Sequence, residues 1–167
     1  TSPVDFTIDY YKFGTTTIAL SKNYTGLAAG ASELIDLDLE TGLPTAWWGS
    51  AVVHTSTGSL GVISHLFFGA DSLMAFNAYP LSSATDSWKI PLLYSRLPNT
   101  LNTSLAIQNL SGETIPVNDL TLDCIKDPAA PGPETLSLKN TAAIANYSSF
   151  TFNTLIDTTN FPAGWYG

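Results

Sequence analysis

Apolar and polar side chains alternate in short runs along this chain. Phe6, Ile8 and Tyr10 interleave with Thr7, Asp9 and Tyr11, and Leu120, Leu122 and Cys124 interleave with Thr121, Asp123 and Ile125. A period of two sends one set to a buried face and the other to a wet one, the pattern of a β-strand. Leu34-Ile35-Asp36-Leu37-Asp38-Leu39-Glu40 alternates too, which predicts a strand carrying Asp36, Asp38 and Glu40 on one face. Further strands are predicted over 16–20, 50–54, 60–67, 73–78, 104–109, 134–138 and 149–154, separated by Gly, Pro and Asn punctuation. No window holds the i, i+3, i+4, i+7 spacing of an amphipathic helix without a Gly, a Pro or a β-branched run, so the predicted fold class is all-β.

The pattern also repeats. Pro3-Val4 returns as Pro116-Val117, and Phe6 to Lys12 returns as Leu120 to Lys126 with its alternation intact. Lys22-Asn23 matches Lys139-Asn140, Ser32 matches Ser149, and Leu43-Pro44-Thr45-Ala46-Trp47-Trp48-Gly49 matches Phe161-Pro162-Ala163-Gly164-Trp165-Tyr166-Gly167. The offset drifts from 113 to 118 residues, as loop insertions in a duplicated unit produce. A period of that length fits the 167 residues about one and a half times. The reading is therefore two related β-sandwich (Ig-like) domains in tandem, 1–84 lacking its opening strands and 85–167 lacking its closing strands, with the Ser/Thr-rich stretch 80–86 between them. Incomplete sheets leave backbone edges unpaired, so neighbouring copies or an onward chain are expected to supply the absent strands.

Several landmarks carry a family resemblance. They are Trp88-Lys89-Ile90-Pro91-Leu92-Leu93-Tyr94, the Asn102 to Leu110 run with its Gln108-Asn109 pair, the Thr7 to Tyr11 strand, the Leu43 to Gly49 turn followed by Ser50-Ala51-Val52-Val53, and Met74-Ala75-Phe76-Asn77-Ala78. Together they resemble the tandem β-sandwich repeats of large secreted and surface proteins of filamentous bacteria. The resemblance implies a sandwich fold, an extracellular or cell-surface setting and no catalytic motif. Cys124-Ile125 in place of Tyr10-Tyr11, and the loop 128–133 in place of the Gly14 turn, depart from the pattern.

Charge narrows the function classes. Six Lys+Arg against 14 Asp+Glu leave a net charge of −8, a field that repels phosphate backbones and anionic headgroups and speaks against nucleic-acid binding. Only 12% of residues are charged, while 21 Thr and 17 Ser keep the surface wet, a balance common in secreted β proteins. No apolar run approaches the roughly 20 residues of a membrane-spanning helix, so no membrane insertion is expected. The N-terminal residues show no basic and apolar leader pattern, and any signal peptide is expected to be cleaved or to lie outside this sequence. Cys124 is the lone cysteine, which excludes an intrachain disulfide and a cysteine metal site.

Candidate chemistry is sparse, and neither a cofactor nor a metal is expected. Asp36, Asp38 and Glu40 are hard oxygen ligands that would suit Ca²⁺ if they converged, but no Asp-Gly loop adds ligands and a solvated strand face is preferred. His54 and His65, with Ser50, Ser56 and Ser64 nearby, lack a nucleophile elbow and read as structural. Asp9 and Asp123 recur in both copies; a glycosidase-like carboxylate pair is weighed against a repeated backbone hydrogen bond, and the second is preferred. Trp47, Trp48, Trp165 and Tyr166, in Gly-flanked turns, are the best functional residues, as core or interdomain pins, subunit contacts or stacking surfaces for sugar rings. Asn23, Asn102, Asn109 and Asn146 stand in Asn-x-Ser/Thr sequons and are candidate glycosylation sites. The function expected is a structural building block of an extracellular filament, sheath or cell-surface layer, joined to copies of itself by β-strand complementation. A carbohydrate-binding or adhesive surface module is the alternative, with surface glycans as partners; an enzyme is not expected.

Overall fold

The structure is a computed structural model, and it describes residues 2–15, 17–45, 47–68, 72–97 and 101–167. Their strands are β1 (Val4–Lys12), β2 (Ile18–Leu27), β3 (Gly49–His54), β4 (Ile63–Phe68), β5 (Ser72–Asn77), β6 (Tyr94–Ser95), β7 (Ser104–Gln108), β8 (Thr121–Ile125), β9 (Thr135–Lys139), β10 (Ser149–Asn153) and β11 (Trp165–Tyr166). Two 3₁₀ turns, Leu37–Leu39 and Leu81–Ser83, complete the regular structure of the described residues, which contain no α-helix. The fold is all-β, in small separate sheets: β2-β1-β3 with three strands, and the antiparallel pairs β7–β10, β6–β11, β4–β5 and β8–β9.

β1 lies at the centre of the first sheet because both of its edges are paired, one with β2 and the other with β3. Phe6, Ile8 and Tyr10 are buried together against Leu20, Tyr24 and Leu27 of β2, Val53 of β3, and Ile35, Leu43, Trp47 and Leu60 from the connections. The β1–β2 hairpin closes through Gly14 at φ 74°, left-handed backbone that a side chain resists, and Thr15 N–H donates to the Lys12 carbonyl at 3.1 Å. A second core is separate from the first. Leu93, Leu122, Cys124, Phe152, Phe161 and Trp165 form its buried centre, and Leu105, Ile107, Leu120, Leu136, Leu138 and Phe150 pack around it. Side chains of the β8–β9 and β7–β10 ribbons thus share one interior. The segment between the cores, around residues 77–92, is exposed throughout.

Three expectations need correction. The strand expected over 34–40 does not form: Leu37–Leu39 is a 3₁₀ turn, Asp36 caps it by accepting from the Asp38 N–H at 3.0 Å, and Leu34 is 87% exposed. Its repeat counterpart is β10, which becomes a strand because β7 pairs with it; among the described residues no strand pairs with 32–36. The strand expected over 16–20 runs instead from Ile18 to Leu27, and Thr16 lies outside the described residues, as do Ala46 and residues 69–71 between β4 and β5. The Lys-Asn match is one residue out of register, since Asn23 faces Thr7 whereas Lys139 faces Thr121. The pairs Tyr10–Leu20 and Cys124–Leu136, each a buried residue against a half-buried leucine, set the register, because a one-residue slip would turn each apolar face outward.

Burial pushes the Cys124 thiol up to about 11, with the Asp123 charge adding to it. The thiolate is the reactive form, so alkylation by iodoacetamide at pH 8 is expected to be negligible in the native protein and to follow unfolding of the second core. Rapid native labelling would show that this core opens locally.

Candidate functional site

The four aromatic residues of the two turns divide by burial. Trp165 is 0% exposed and meets Phe161 edge to face, ring centroids 5.1 Å apart. Trp47 holds the matching place in the first core, half-buried and edge-on to Tyr10 at 5.9 Å. Both indole N–H groups are buried without an acceptor among the described residues. Trp48 is 61% exposed and stacks on Phe13 at 4.2 Å, while Tyr166 is half-buried.

Around these turns the two halves repeat one set of backbone contacts. Phe13 N–H donates to the Trp48 carbonyl at 3.3 Å, and Asp127 N–H donates to the Tyr166 carbonyl at 2.9 Å. A Cβ on Gly49 would lie 2.0 Å from the Tyr11 carbonyl oxygen, and one on Gly167 would lie 2.1 Å from the Ile125 carbonyl oxygen. Tyr11 and Ile125, Phe13 and Asp127, and Gly49 and Gly167 are the same positions in the sequence repeat. Only glycine lets the returning chain lie this close to the strand.

Beyond the turns the halves differ. β3 covers the edge of β1 away from β2, with Ser50, Val52 and His54 facing Tyr11, Asp9 and Thr7. Among the described residues, no strand lies beside the corresponding edge of β8. Tyr11 is buried, because its ring packs on Tyr147 at 5.3 Å, whereas Ile125 is 74% exposed. The Tyr147 contact belongs to a joint between the halves: Gly14 N–H donates to Ser148 Oγ at 3.0 Å and Ser50 Oγ–H to the Tyr147 carbonyl at 2.5 Å. Ser50, grouped with the histidines by sequence, is thereby committed to this joint.

The carboxylates expected on one face are dispersed. Asp36 caps the 3₁₀ turn, and Glu40 turns inward to Lys22 Nζ at 2.5 Å while accepting from the Tyr24 hydroxyl at 3.0 Å. No group of three metal-ligating side chains exists among the described residues. The Lys22 ammonium holds the Glu40 carboxyl below its ordinary 4.5, and Tyr24 rises above its ordinary 10.0 through burial and its bond to Glu40. The Glu40 contribution is complete above the ordinary carboxylate pKa and is lost as pH falls through the lowered native value; the Tyr24 contribution holds below 10 and is lost as pH rises above it. Glu40→Gln should cost about 1 kcal/mol at neutral pH, Lys22 being partly exposed, and should flatten the acid limb of stability against pH in urea titrations. An unchanged acid limb would remove Glu40 as its source.

His54 Nε2 lies 2.9 Å from Asp9 Oδ2, which corrects the reading of Asp9 as a backbone acceptor; Asp5 plays that part, accepting from Gly26 N–H at 2.7 Å. The Thr7 hydroxyl beside this pair donates to Asn23 Oδ1 at 2.7 Å. His65 is exposed on β4, and Asp123 is exposed on β8.

Among the sequons, Asn23 is exposed, and Asn102 and Asn146 are half-buried and accept from Arg96 N–H at 2.9 Å and Gly112 N–H at 3.1 Å. Asn109 is buried, its amide donating to the Glu113 and Ile144 carbonyls, which leaves no outlet for a glycan in the folded chain. Sequence reasoning missed two fasteners of the second half. Asn140, fully buried, accepts from Leu120 N–H and donates to the Pro116 and Ala142 carbonyls. The Arg96 guanidinium gathers the carbonyls of Thr154, Leu155 and Phe161. An asparagine directly after the alternating run 135–139 is the sequence signal available for the first; nothing marked the second. No family model, curated protein or solved structure matches this chain.

Proposed function

We propose that the chain is a structural building block of an extracellular filament, sheath or cell-surface layer. Its halves, 1–84 and 85–167, are two related β-sandwich domains of the kind it resembles, each open at its outer end and completed by β-strands of neighbouring copies. One observation carries the reading: the halves share the glycine-turn joint yet are unfinished at different places. Among the described residues, the first has β3 on β1 but no strand on 32–36, and the second has β7 on β10 but no strand on the outer edge of β8. Exposed Leu34 and Ile125 mark those two places. Contacts between unlike surfaces repeat without closing and produce a filament. The hydroxyl-rich, charge-poor surface and lone cysteine suit an extracellular setting.

Electron microscopy and analytical ultracentrifugation of the purified chain test this. Head-to-tail oligomers that lengthen with concentration are expected; a monomer at every concentration overturns the self-assembly reading.

The exposed Trp48 indole, braced by Phe13, favours a second reading as a glycan-stacking surface. Quenching or a blue shift of tryptophan fluorescence by surface polysaccharide, lost in Trp48→Ala, would support it.

A further inference from the structure

We infer that the outer edge of β8 is a docking site for one extended strand of β3's chemistry, running antiparallel to β8 and carrying a basic or imidazole side chain next to Asp123. The inference deepens the building-block reading and rests on it for the kinship of the two halves.

The direction of β8's backbone groups comes first. Lys126 N–H donates to the Glu134 carbonyl and Asn140 N–H to the Leu120 carbonyl, so even-numbered residues of this strand bond toward β9. Asp127 N–H donates the other way, to the Tyr166 carbonyl. Antiparallel ladders alternate, so the peptide groups of Thr121, Asp123 and Ile125 face the edge that no described strand covers. Their counterparts Thr7, Asp9 and Tyr11 face His54, Val52 and Ser50 of β3. A row of unpaired donors and acceptors is a template for strand addition.

The shape and charge of the occupant follow from β3. Gly167 already rests against the Ile125 carbonyl as Gly49 rests against that of Tyr11, so the register of an added strand is set at that end. The next position must be small, as Ser50 is opposite Tyr11, and the third and fourth can be β-branched or apolar, like Val52 and Val53. The fifth carries the charge. His54 reaches Asp9 at 2.9 Å from the pair next along the ladder, and Asp123 is the Asp9 of the second half, its carboxylate exposed at the vacant edge. The exposed Ile125 side chain lies on the same stretch of strand, an apolar surface for the incoming segment to cover.

The probe is an N-acetylated peptide with the sequence of residues 50–57, titrated to millimolar excess into the ¹⁵N-labelled full chain. Expected are shift changes and slowed amide exchange at Thr121, Asp123 and Ile125, with Leu122 and Cys124 unchanged because they already bond to β9. A peptide with His54→Glu should bind about two- to fivefold more weakly, and Asp123→Lys should reverse that preference. No response at these amides, or an equal response at even and odd positions, overturns the assignment. Protection of the same amides that grows with protein concentration and that excess peptide fails to compete away overturns it too, giving the edge to a second β8. Filaments without peptide binding would leave the building-block reading standing and remove this one; peptide binding by a chain that stays monomeric would do the reverse.

Discussion

Trp165→Ala is expected to destabilise the second core by about 3–5 kcal/mol, the range for removing a fully buried aromatic side chain, and to lower its thermal midpoint accordingly. Its ring sits at the centre of the cluster formed by Leu93, Leu122, Cys124, Phe152 and Phe161, so truncation leaves a void that both the β8–β9 and the β7–β10 ribbons must close. Trp47→Ala should cost less, about 2 kcal/mol, since that indole is only half-buried. Trp165→Phe should cost about 1 kcal/mol: it keeps a ring against Phe161 and removes an indole N–H that is buried without an acceptor among the described residues. Far-UV circular dichroism in urea titrations measures all three without relying on tryptophan emission. Equal losses for Trp47→Ala and Trp165→Ala would mean that the two turns are not pinned as the burial indicates.

The alternation of apolar residues made the strands legible but not their partners. Phe6, Ile8 and Tyr10, and Leu122 and Cys124, went inside as the period of two requires. The same alternation over 34–40 did not become a strand, because a strand is a pairing and the partner that β7 gives to β10 has no equivalent beside 32–36 among the described residues. Tyr11 was assigned to the wet face, yet it is buried by Tyr147. A one-strand pattern distinguishes two faces; it does not distinguish water from the other half of the molecule. The two-residue strands β6 and β11 are too short to leave any period in the sequence.

Side-chain roles were legible where composition constrained them and opaque where three-dimensional neighbours decided. The recurrence of Asp9 and Asp123 was visible, whereas its meaning needed His54 to arrive from β3. Asn109 read as a glycan acceptor because a sequon records only covalent eligibility; burial and two hydrogen bonds to carbonyls show an asparagine spent on closing a turn. Arg96, one of few cations in an acidic chain, pairs with carbonyl dipoles from the 154–161 connection, which no charge pattern foretells.

Gly49→Ala is expected to destabilise the first core by about 3 kcal/mol, at the upper end for forcing atoms into a filled space. The added Cβ would lie 2.0 Å from the Tyr11 carbonyl oxygen and 2.7 Å from Trp47 Cζ2, so either the backbone of β3 moves off β1 or the indole leaves the core. Movement of β3 off β1 breaks the run from Lys12–Gly49 through Thr7–His54, and with it the His54–Asp9 contact. Faster amide exchange should therefore appear at Thr7, Asp9 and Tyr11, the β1 residues that face β3, before it appears at Ile8 and Tyr10, which face β2. Gly61→Ala is the control: a Cβ there meets nothing within 4 Å, and the change should stay within about 0.5 kcal/mol. Gly167→Ala carries the comparison to the second half, where the Ile125 carbonyl oxygen stands 2.1 Å from the added atom. If the two glycines hold equivalent joints, each substitution loosens its own core and spares the other. A Gly49→Ala protein as stable as Gly61→Ala would show that the turn yields easily, and the correspondence between the halves would lose its firmest contact.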